Sequence, residues 1–247
     1  MSERRSFQIG QRRPAAAENS LGSVAITAAE VWWAPNAIRT QNPPLGGFAK
    51  RAVDVFVAAV ALVLLLPLMA LIAAAVRLTM GGPVLFGHSR VGHNGQTFRC
   101  YKFRTMVTEA DAVLRNYLAV NPQAAKEWAE TRKLRNDPRI TFLGHFLRKT
   151  SIDELPQLIN VLRGEMSCVG PRPIVADELA HYGEHAAHYF RARPGLTGAW
   201  QVSGRTSLRY AERVALDVEY VRKWSIWQDF RILLKTIPAV LQFRDAS

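Results

Sequence analysis

Cysteine is scarce in this sequence, so the protein classes that depend on it can be set aside first. The 247 residues contain two cysteines, Cys100 and Cys168, with no CxxC pair and no histidine at ligand spacing. A disulfide framework or a structural zinc site normally needs more cysteines, or cysteines at short fixed spacings. We therefore expect neither, and we predict that both thiols are reduced.

The common nucleotide-binding motifs and a secretory signal are also missing. The glycine-rich loop at residues 191–206, RARPGLTGAWQVSGRT, has neither Walker spacing nor a GxGxxG pattern. Arginine pairs occur at 4–5 and 12–13, but the apolar core of a signal peptide does not follow them. We expect residues 1–47 to be a flexible N-terminal tail.

Acidic residues are outnumbered by basic ones. The chain has 20 Asp and Glu against 32 Lys and Arg, a net charge of +12. Such an excess indicates a polyanionic partner, which would be a nucleic acid, an anionic membrane surface or a phosphorylated substrate. The basic residues are dispersed, without the aromatic and basic repeat of an RNA-binding motif. A membrane-tethered nucleic-acid-binding protein is therefore the non-enzymatic alternative.

One apolar run dominates the hydropathy pattern. Residues Val55 to Val76 carry no charge over 22 positions, and as a helix they would span roughly 33 Å, enough for a bilayer core. Pro67 lies near the middle and would break the helix. Basic residues on both flanks mark both ends as cytoplasmic. We predict a re-entrant helix over 48–80 that returns to the side it entered, with a straight span as the alternative.

An acidic pair, Asp153 and Glu154, precedes an apolar helical stripe. Ser151 and Glu154 have the spacing of a capping box, which would explain the glutamate without chemistry. Pro156 favours a helix that starts at Asp153 instead, because proline suits the first turn. A helix N-terminus stabilises anions, so the pattern predicts an ionised Asp153 that acts as nucleophile or metal ligand.

The remaining pattern predicts a small hairpin and further helices. Turn signals separate two β-like runs at 84–91 and 96–103, and helices are expected over 107–130, in FLGHFLRKTS and from 207 onwards. The last of these carries Trp224, Trp227 and a basic face, which suits a membrane interface or core packing. Arg172 stands between two prolines in a loop, a setting that favours phosphate recognition.

Four ordered motifs carry a resemblance to a known family. They are KFRTM at 102–106, SIDELPQLINVLRGEMSCVGPRP at 151–173, RPGLTGAWQVSGR at 193–205 and LDVEYVRKWS at 216–225. Together with the Pro-interrupted apolar run they resemble the bacterial sugar transferases, the monotopic polyprenyl-phosphate phosphoglycosyl transferases. Within that family the sequence is most similar to galactose phosphotransferases of exopolysaccharide synthesis.

The resemblance implies a reaction and roles for individual residues. A UDP-sugar would give its sugar 1-phosphate to undecaprenyl phosphate, with release of UMP. Asp153 would be the nucleophile that forms a covalent phospho-sugar intermediate and would also contact Mg²⁺, with Glu154 as its partner. The resemblance implies further residues that would bind substrate phosphates or complete the network of the site. They are Lys102, Arg104, Arg148, Arg172, Arg205 and Asp217. Asp217 would be a partner of Lys102.

The resemblance also implies the architecture and the partners. We expect a mostly helical α+β fold with interfacial amphipathic helices and a cytoplasmic catalytic domain over 81–247. The enzyme would sit at the bacterial inner membrane among anionic lipids, with magnesium as cofactor and without nucleic acid as a partner. A homodimer is compatible with the sequence, which does not decide between galactose and glucose. A membrane-bound phosphohydrolase that uses the same two acids is the alternative enzyme class.

Overall fold

The computed structural model of the chain describes residues 43–131, 133–204 and 208–241. Most of the predicted tail and Arg205 lie outside the described residues. Among those described, eight α-helices carry most of the fold: α1 Gly47–Met80, α2 Ala110–Val120, α3 Pro122–Thr131, α4 Phe142–Lys149, α5 Gln157–Arg163, α6 Ala186–Phe190, α7 Tyr210–Arg222 and α8 Ile226–Leu241. Four short strands complete it: β1 Leu85–Val91, β2 Thr97–Phe103, β3 Ser167–Val169 and β4 Gly195–Thr197. The predicted mostly helical α+β fold is confirmed.

Helix α1 is long and apolar enough, by length and composition, to cross a membrane, and only 11% of its most apolar stretch is buried. It runs as one helix of 34 residues through Pro67, so the predicted break is not an interruption of the helix. Proline removes the hydrogen bond to the carbonyl of Val63 four residues earlier without ending the helix.

One stripe of α1 packs against the rest of the protein along the whole helix. The buried residues recur every three or four positions from Lys50 to Ala58 and from Met69 to Val76, the spacing of a single helical face. Between these two sets the half-buried Leu62 and Leu65 pack against the core and continue the stripe. Met69, Ile72 and Val76 pack with Phe103 and Leu147. Both halves of α1 therefore contact the same globular body.

Two buried polar contacts fix the start of α1. The Lys50 ammonium lies 2.5 Å from the Asp229 carboxylate on α8, and Tyr220 donates its hydroxyl hydrogen to the same acid at 2.6 Å. One turn further on, Asp54 accepts hydrogen bonds from the Ser167 hydroxyl and the Cys168 backbone N–H, each at 2.9 Å. A buried charge needs such partners, so α1 is held to both α8 and β3.

The predicted hairpin is confirmed, and a second pair of strands joins distant loops. Strands β1 and β2 pair antiparallel, with Phe86 opposite Lys102 and His88 opposite Cys100. Strands β3 and β4 pair in parallel, with Ser167 opposite Gly195. The second pair brings the loop of Arg172 beside the glycine-rich loop after β4. Cys100 and Cys168 are both buried and free.

Apolar side chains remain exposed on α1 and α8. On α1 the exposed face includes Phe48, Phe56, Leu64 and Leu71. On α8 it is formed by large residues at helical spacing: Ile226, Trp227, Phe230, Leu234 and Ile237. Exposed apolar faces of this kind on two helices are typical of contact with a membrane or a protein partner.

Candidate active site

Asp153 lies in a short 3₁₀ turn, Ile152–Glu154, between α4 and α5. The predicted helix start at Asp153 is wrong, because α5 begins at Gln157 with Pro156 as its N-cap. Ser151 makes no side-chain capping bond and has a positive φ of 57°, so the capping box is also absent from this turn. The helix N-terminus consequently does not explain the position of the acid, and the turn itself presents it.

Lys102 on β2 joins the two acids of this turn. Its ammonium group donates to Glu154 Oε1 at 2.6 Å and lies 3.7 Å from Asp153 Oδ2. Asp153 is 6% exposed. One cation therefore serves two carboxylates, and it is closer to Glu154. This leaves Asp153 as the less neutralised of the two acids.

The pKa values of the two acids move in opposite directions. Burial, assisted by the charge of Glu154, raises the pKa of Asp153 to about 6, although Lys102 and Arg148 oppose the rise. Burial also acts to raise the pKa of Glu154, but the Lys102 charge and hydrogen bond outweigh it and lower that pKa. Asp153 is thus a buried, still ionisable carboxylate at neutral pH, with the enhanced basicity that suits a nucleophile.

Arg148 reaches the site from the last turn of α4. Its Nε donates to the Thr105 hydroxyl at 2.8 Å, and its charge acts on Asp153. The Thr105 backbone carbonyl accepts the Thr141 N–H at 3.1 Å, and Thr141 caps α4 by accepting the Gly144 N–H at 3.0 Å. Thr105 therefore both seats the start of α4 and orients the arginine at its end.

Arg104, which the sequence suggests as a phosphate-binding residue, contacts the end of α1 in the structure. It is 7% exposed and donates to the carbonyls of Met80 and Gly81 at the end of α1. The last carbonyls of a helix need external donors. Arg104 therefore caps the membrane-length helix.

Asp217 on α7 pairs with Tyr182, whose hydroxyl donates to it at 2.8 Å. The suggested pairing with Lys102 is wrong, because Lys102 engages Glu154 and Asp153. Burial raises the pKa of Asp217 to about 7, with the Tyr182 hydroxyl and the backbone amide and charge of Arg172 opposing the rise. Asp217 thus lies beside the Arg172 loop, in which Arg172 itself is exposed.

Arg90 on β1 belongs to the site but carries no sequence signal of its own. Arg90 on β1 donates to the Pro173 carbonyl at 3.3 Å and lies 3.5 Å from Glu178. Its charge acts on Glu154 together with that of Arg172. The strand register could have revealed Arg90, because alternate residues of paired strands share a face and Arg90 shares the face of Lys102.

The acids present fit a magnesium ion that is held mainly by a substrate. Among the described residues there is no group of three or more His, Cys, Asp or Glu side chains placed to hold a metal. Magnesium is commonly bound by one or two carboxylates together with substrate phosphates rather than by a complete protein cage. Asp153, the less neutralised of the two carboxylates, is the ligand this site would offer.

The match with a family profile assigns the chain to a family. The chain matches the bacterial sugar transferase profile over residues 45–243 and belongs to that family. It is 57% identical over 197 residues to the exopolysaccharide production protein ExoY of Rhizobium meliloti (strain 1021), a match that covers 80% of this chain and 87% of that protein.

Two further relatives carry names that specify a sugar. One is the undecaprenyl-phosphate galactose phosphotransferase of Salmonella typhimurium (strain LT2), 50% identical over 81% of this chain and 42% of that protein. Another is the UDP-glucose:undecaprenyl-phosphate glucose-1-phosphate transferase of Caulobacter vibrioides, 42% identical over 78% of this chain and 69% of that protein. The family match argues for the transferase hypothesis over the nucleic-acid-binding alternative.

Proposed function

We propose that this chain transfers a hexose 1-phosphate from a UDP-sugar to undecaprenyl phosphate in exopolysaccharide synthesis. The names of the relatives support the class of reaction and both substrates. Galactose is the proposed sugar, because the galactose phosphotransferase is 50% identical to this chain and the glucose transferase 42%. The main observation that supports the mechanism is that Asp153 is a buried carboxylate beside Lys102 and Arg148, with its pKa raised to about 6.

The chemistry divides into two displacements at one phosphorus atom. A carboxylate oxygen of Asp153 forms a bond to the phosphorus that bears the sugar. The bond from that phosphorus to the bridging oxygen breaks, and UMP leaves with the electron pair. An oxygen of undecaprenyl phosphate then attacks the same phosphorus, which restores the Asp153 carboxylate. One buried nucleophile can thereby serve two substrates in turn.

The basic residues around Asp153 would bind the charge that moves in these steps. Lys102 keeps Glu154 ionised and close, and Arg148, fixed by Thr105, has further N–H groups for phosphate oxygens. Magnesium, when bound through Asp153 and the donor diphosphate, would supply charge neutralisation for the departing phosphate. Arg172 would contact phosphate from the opposite loop.

The position of α1 supports an arrangement in which both ends of this unbroken helix lie at the cytoplasmic face of the inner membrane. Lys50 near its start binds Asp229, and Met80 at its end accepts from Arg104. Both ends are therefore held by one globular body, whereas a straight span would carry one end to the other side of the bilayer. The exposed apolar faces of α1 and α8 would then enter the membrane beside the site.

Intact-protein mass spectrometry after incubation with Mg²⁺ and either UDP-galactose or UDP-glucose, without lipid, tests this function. We expect a hexose-phosphate adduct with UDP-galactose in the natural protein and none in Asp153→Asn, which should also lose transfer to the lipid. Turnover without an adduct would replace the covalent step by direct transfer. Release of free hexose phosphate to water, with no lipid product, would instead indicate the phosphohydrolase.

A further inference from the structure

Two arginines from distant parts of the chain meet at one buried tryptophan. Trp200, in the loop after β4, is 5% exposed. The guanidinium carbons of Arg172 and Arg213 lie 5.3 Å and 5.0 Å from the centre of its ring. The two guanidinium groups are consequently no more than about 10 Å apart. Stacking on an aromatic ring orients a guanidinium group and leaves its edge N–H groups free for a ligand.

The two positive charges have no carboxylate within ion-pair distance in the described part of the chain. Arg213 donates from Nε to the Leu208 carbonyl at 3.1 Å, which leaves its terminal N–H groups for other partners. Arg90, by contrast, has Glu178 at 3.5 Å. Both cations lie over the same ring, and an anion that contacts both would offset their mutual repulsion.

This arginine pair borders the active site. The charge of Arg172 lowers the pKa of Glu154, the acid that Lys102 joins to Asp153. Helix α7 carries both Arg213 and, one turn later, Asp217, which interacts with Arg172. An anion on the two arginines would therefore lie at the edge of the site that contains the nucleophile.

We propose that Arg213 is a second phosphate-binding residue that acts with Arg172, both guanidinium groups being gathered by Trp200. The ligand is a phosphate ester oxygen, supplied by the donor diphosphate or by the lipid phosphate. This inference rests on the proposed function, because it assigns a residue to the substrates of that reaction. Nothing in the motif spacing singles out Arg213, which stands in an ordinary amphipathic helix.

Arg213→Gln tests the proposal when the two half-reactions are measured separately. The first is adduct formation on Asp153 against UDP-sugar concentration, and the second is discharge of the isolated adduct onto undecaprenyl phosphate. We expect the rate at low substrate concentration to fall about tenfold or more in one of them, the usual size of a lost charged hydrogen bond. A defect in the first assigns the donor diphosphate, and one confined to the second assigns the lipid phosphate.

Arg209→Gln is the matched control, since Arg209 begins the same helix but has an 86% exposed side chain paired with Glu212. It should stay within twofold of the natural protein. Arg213→Lys, which retains the charge without the planar group, should fall between the two and covers the case in which the glutamine variant fails to fold. Equal rates for Arg213→Gln and Arg209→Gln in both half-reactions would overturn the proposal.

A double-mutant cycle distinguishes joint action from two independent contacts. If Arg172 and Arg213 hold one phosphate, the combined variant should be less impaired than the product of the single effects predicts. Strictly multiplicative effects would overturn the paired arrangement. If the natural protein forms no adduct, the covalent step of the proposed function fails by itself, and Arg213 is judged by the KM of each substrate in steady-state transfer.

Discussion

At the residue scale, Asp153 occupies a position that is unfavourable for a charged group. It is 6% exposed, and its near cation, Lys102, is closer to Glu154 than to Asp153. The pKa of Asp153 is consequently about 6, whereas an exposed aspartate has a pKa of about 4 and is ionised well below neutral pH. This position makes the oxygen more basic and costs folding free energy, and each effect gives a measurable outcome.

The first outcome concerns the pH dependence of adduct formation. Attack requires the ionised carboxylate, so the rate should fall as the pH drops through about 6. Because the Lys102 charge lowers this pKa, Lys102→Gln should shift the fall to higher pH in single-turnover mass spectrometry. Asp217, with a pKa of about 7, could produce a similar profile. An unchanged midpoint in Asp217→Asn assigns the titration to Asp153, and a midpoint lost in that variant refutes the assignment.

The second outcome concerns stability. A pKa raised by folding means that the folded protein binds the proton more tightly, so stability is greatest at low pH and is lost as pH rises through about 6. Asp153→Asn removes the cost of the buried charge at pH 7.5 and should stabilise the fold by about 1–3 kcal/mol. Thermal melting should show a higher midpoint for Asp153→Asn at pH 7.5, a smaller gain at pH 5, and little difference below about pH 4, where the carboxyl is protonated in both the folded and the unfolded chain. A lower midpoint at pH 7.5 would contradict this.

At the scale of elements, the contact between α4 and the chain after β2 sets the position of Arg148. Gly144 in α4 lies so close to the Thr105 carbonyl that a Cβ there would collide with it. The Thr105 hydroxyl in turn accepts from Arg148. A methyl group that displaces α4 would therefore also move Arg148, the arginine that we propose binds phosphate.

Gly144→Ala should lower both stability and activity. Crowding of this kind typically costs about 1–3 kcal/mol, and the loss of Arg148 orientation should raise the KM for the UDP-sugar. Thermal melting and steady-state kinetics measure the two effects. Gly87→Ala is the control, because a Cβ at Gly87 would make only ordinary contacts, the nearest at 3.5 Å. Equal behaviour of the two variants would show that α4 is not seated in this way.

Helices and strands with a hydrophobic period, or with a turn signal at their ends, were predictable from the sequence, whereas very short elements were not. Glycine-containing turns predict the hairpin, and apolar spacing predicts α2 to α4. Strands β3 and β4 have three residues each, too few for any period, and their parallel pairing joins segments far apart in sequence. The 3₁₀ turn at Asp153 was missed for a related reason, since Pro156 fits the start of either kind of helix.

The same contrast holds for the site. Asp153, Glu154, Lys102 and Arg172 stand in motifs that resemble a family, and Arg148 lies five positions before Asp153, so the resemblance could name all of them. Thr105 and Trp200 also stand in those motifs, but their roles depend on contacts with partners that only the fold brings near. Arg213 stands outside the motifs altogether. Arg104 shows the reverse, because a motif position turned out to cap a helix.

At the scale of the whole molecule, α1 lies along one body and does not project from it. Its two ends, near Lys50 and Met80, are each tied to the globular part. A cysteine at Ser2 and one at Ala129, an exposed position on α3, should therefore react from the same side of the membrane. The natural cysteines are buried, so the background should be low.

We expect a membrane-impermeant maleimide to leave both cysteines unmodified in intact cells with a permeabilised outer membrane, and to label both after the inner membrane is opened. Labelling of Ser2→Cys alone before opening would show a straight span with the N-terminus outside. Labelling of both would mean that the catalytic part faces the periplasm. The Ala129→Cys site acts as the internal reference in each sample.

The ion pair between Lys50 and Asp229 also has a consequence for how the protein is made. Its partners are 179 positions apart, so during translation the lysine is synthesised long before its acid. Helix α1 can enter the bilayer early, yet its first turn keeps an unmatched charge until α8 has left the ribosome. Final closure of the molecule is thereby deferred to the end of synthesis, and nascent chains stopped short of α8 would be natural targets for membrane quality-control proteases.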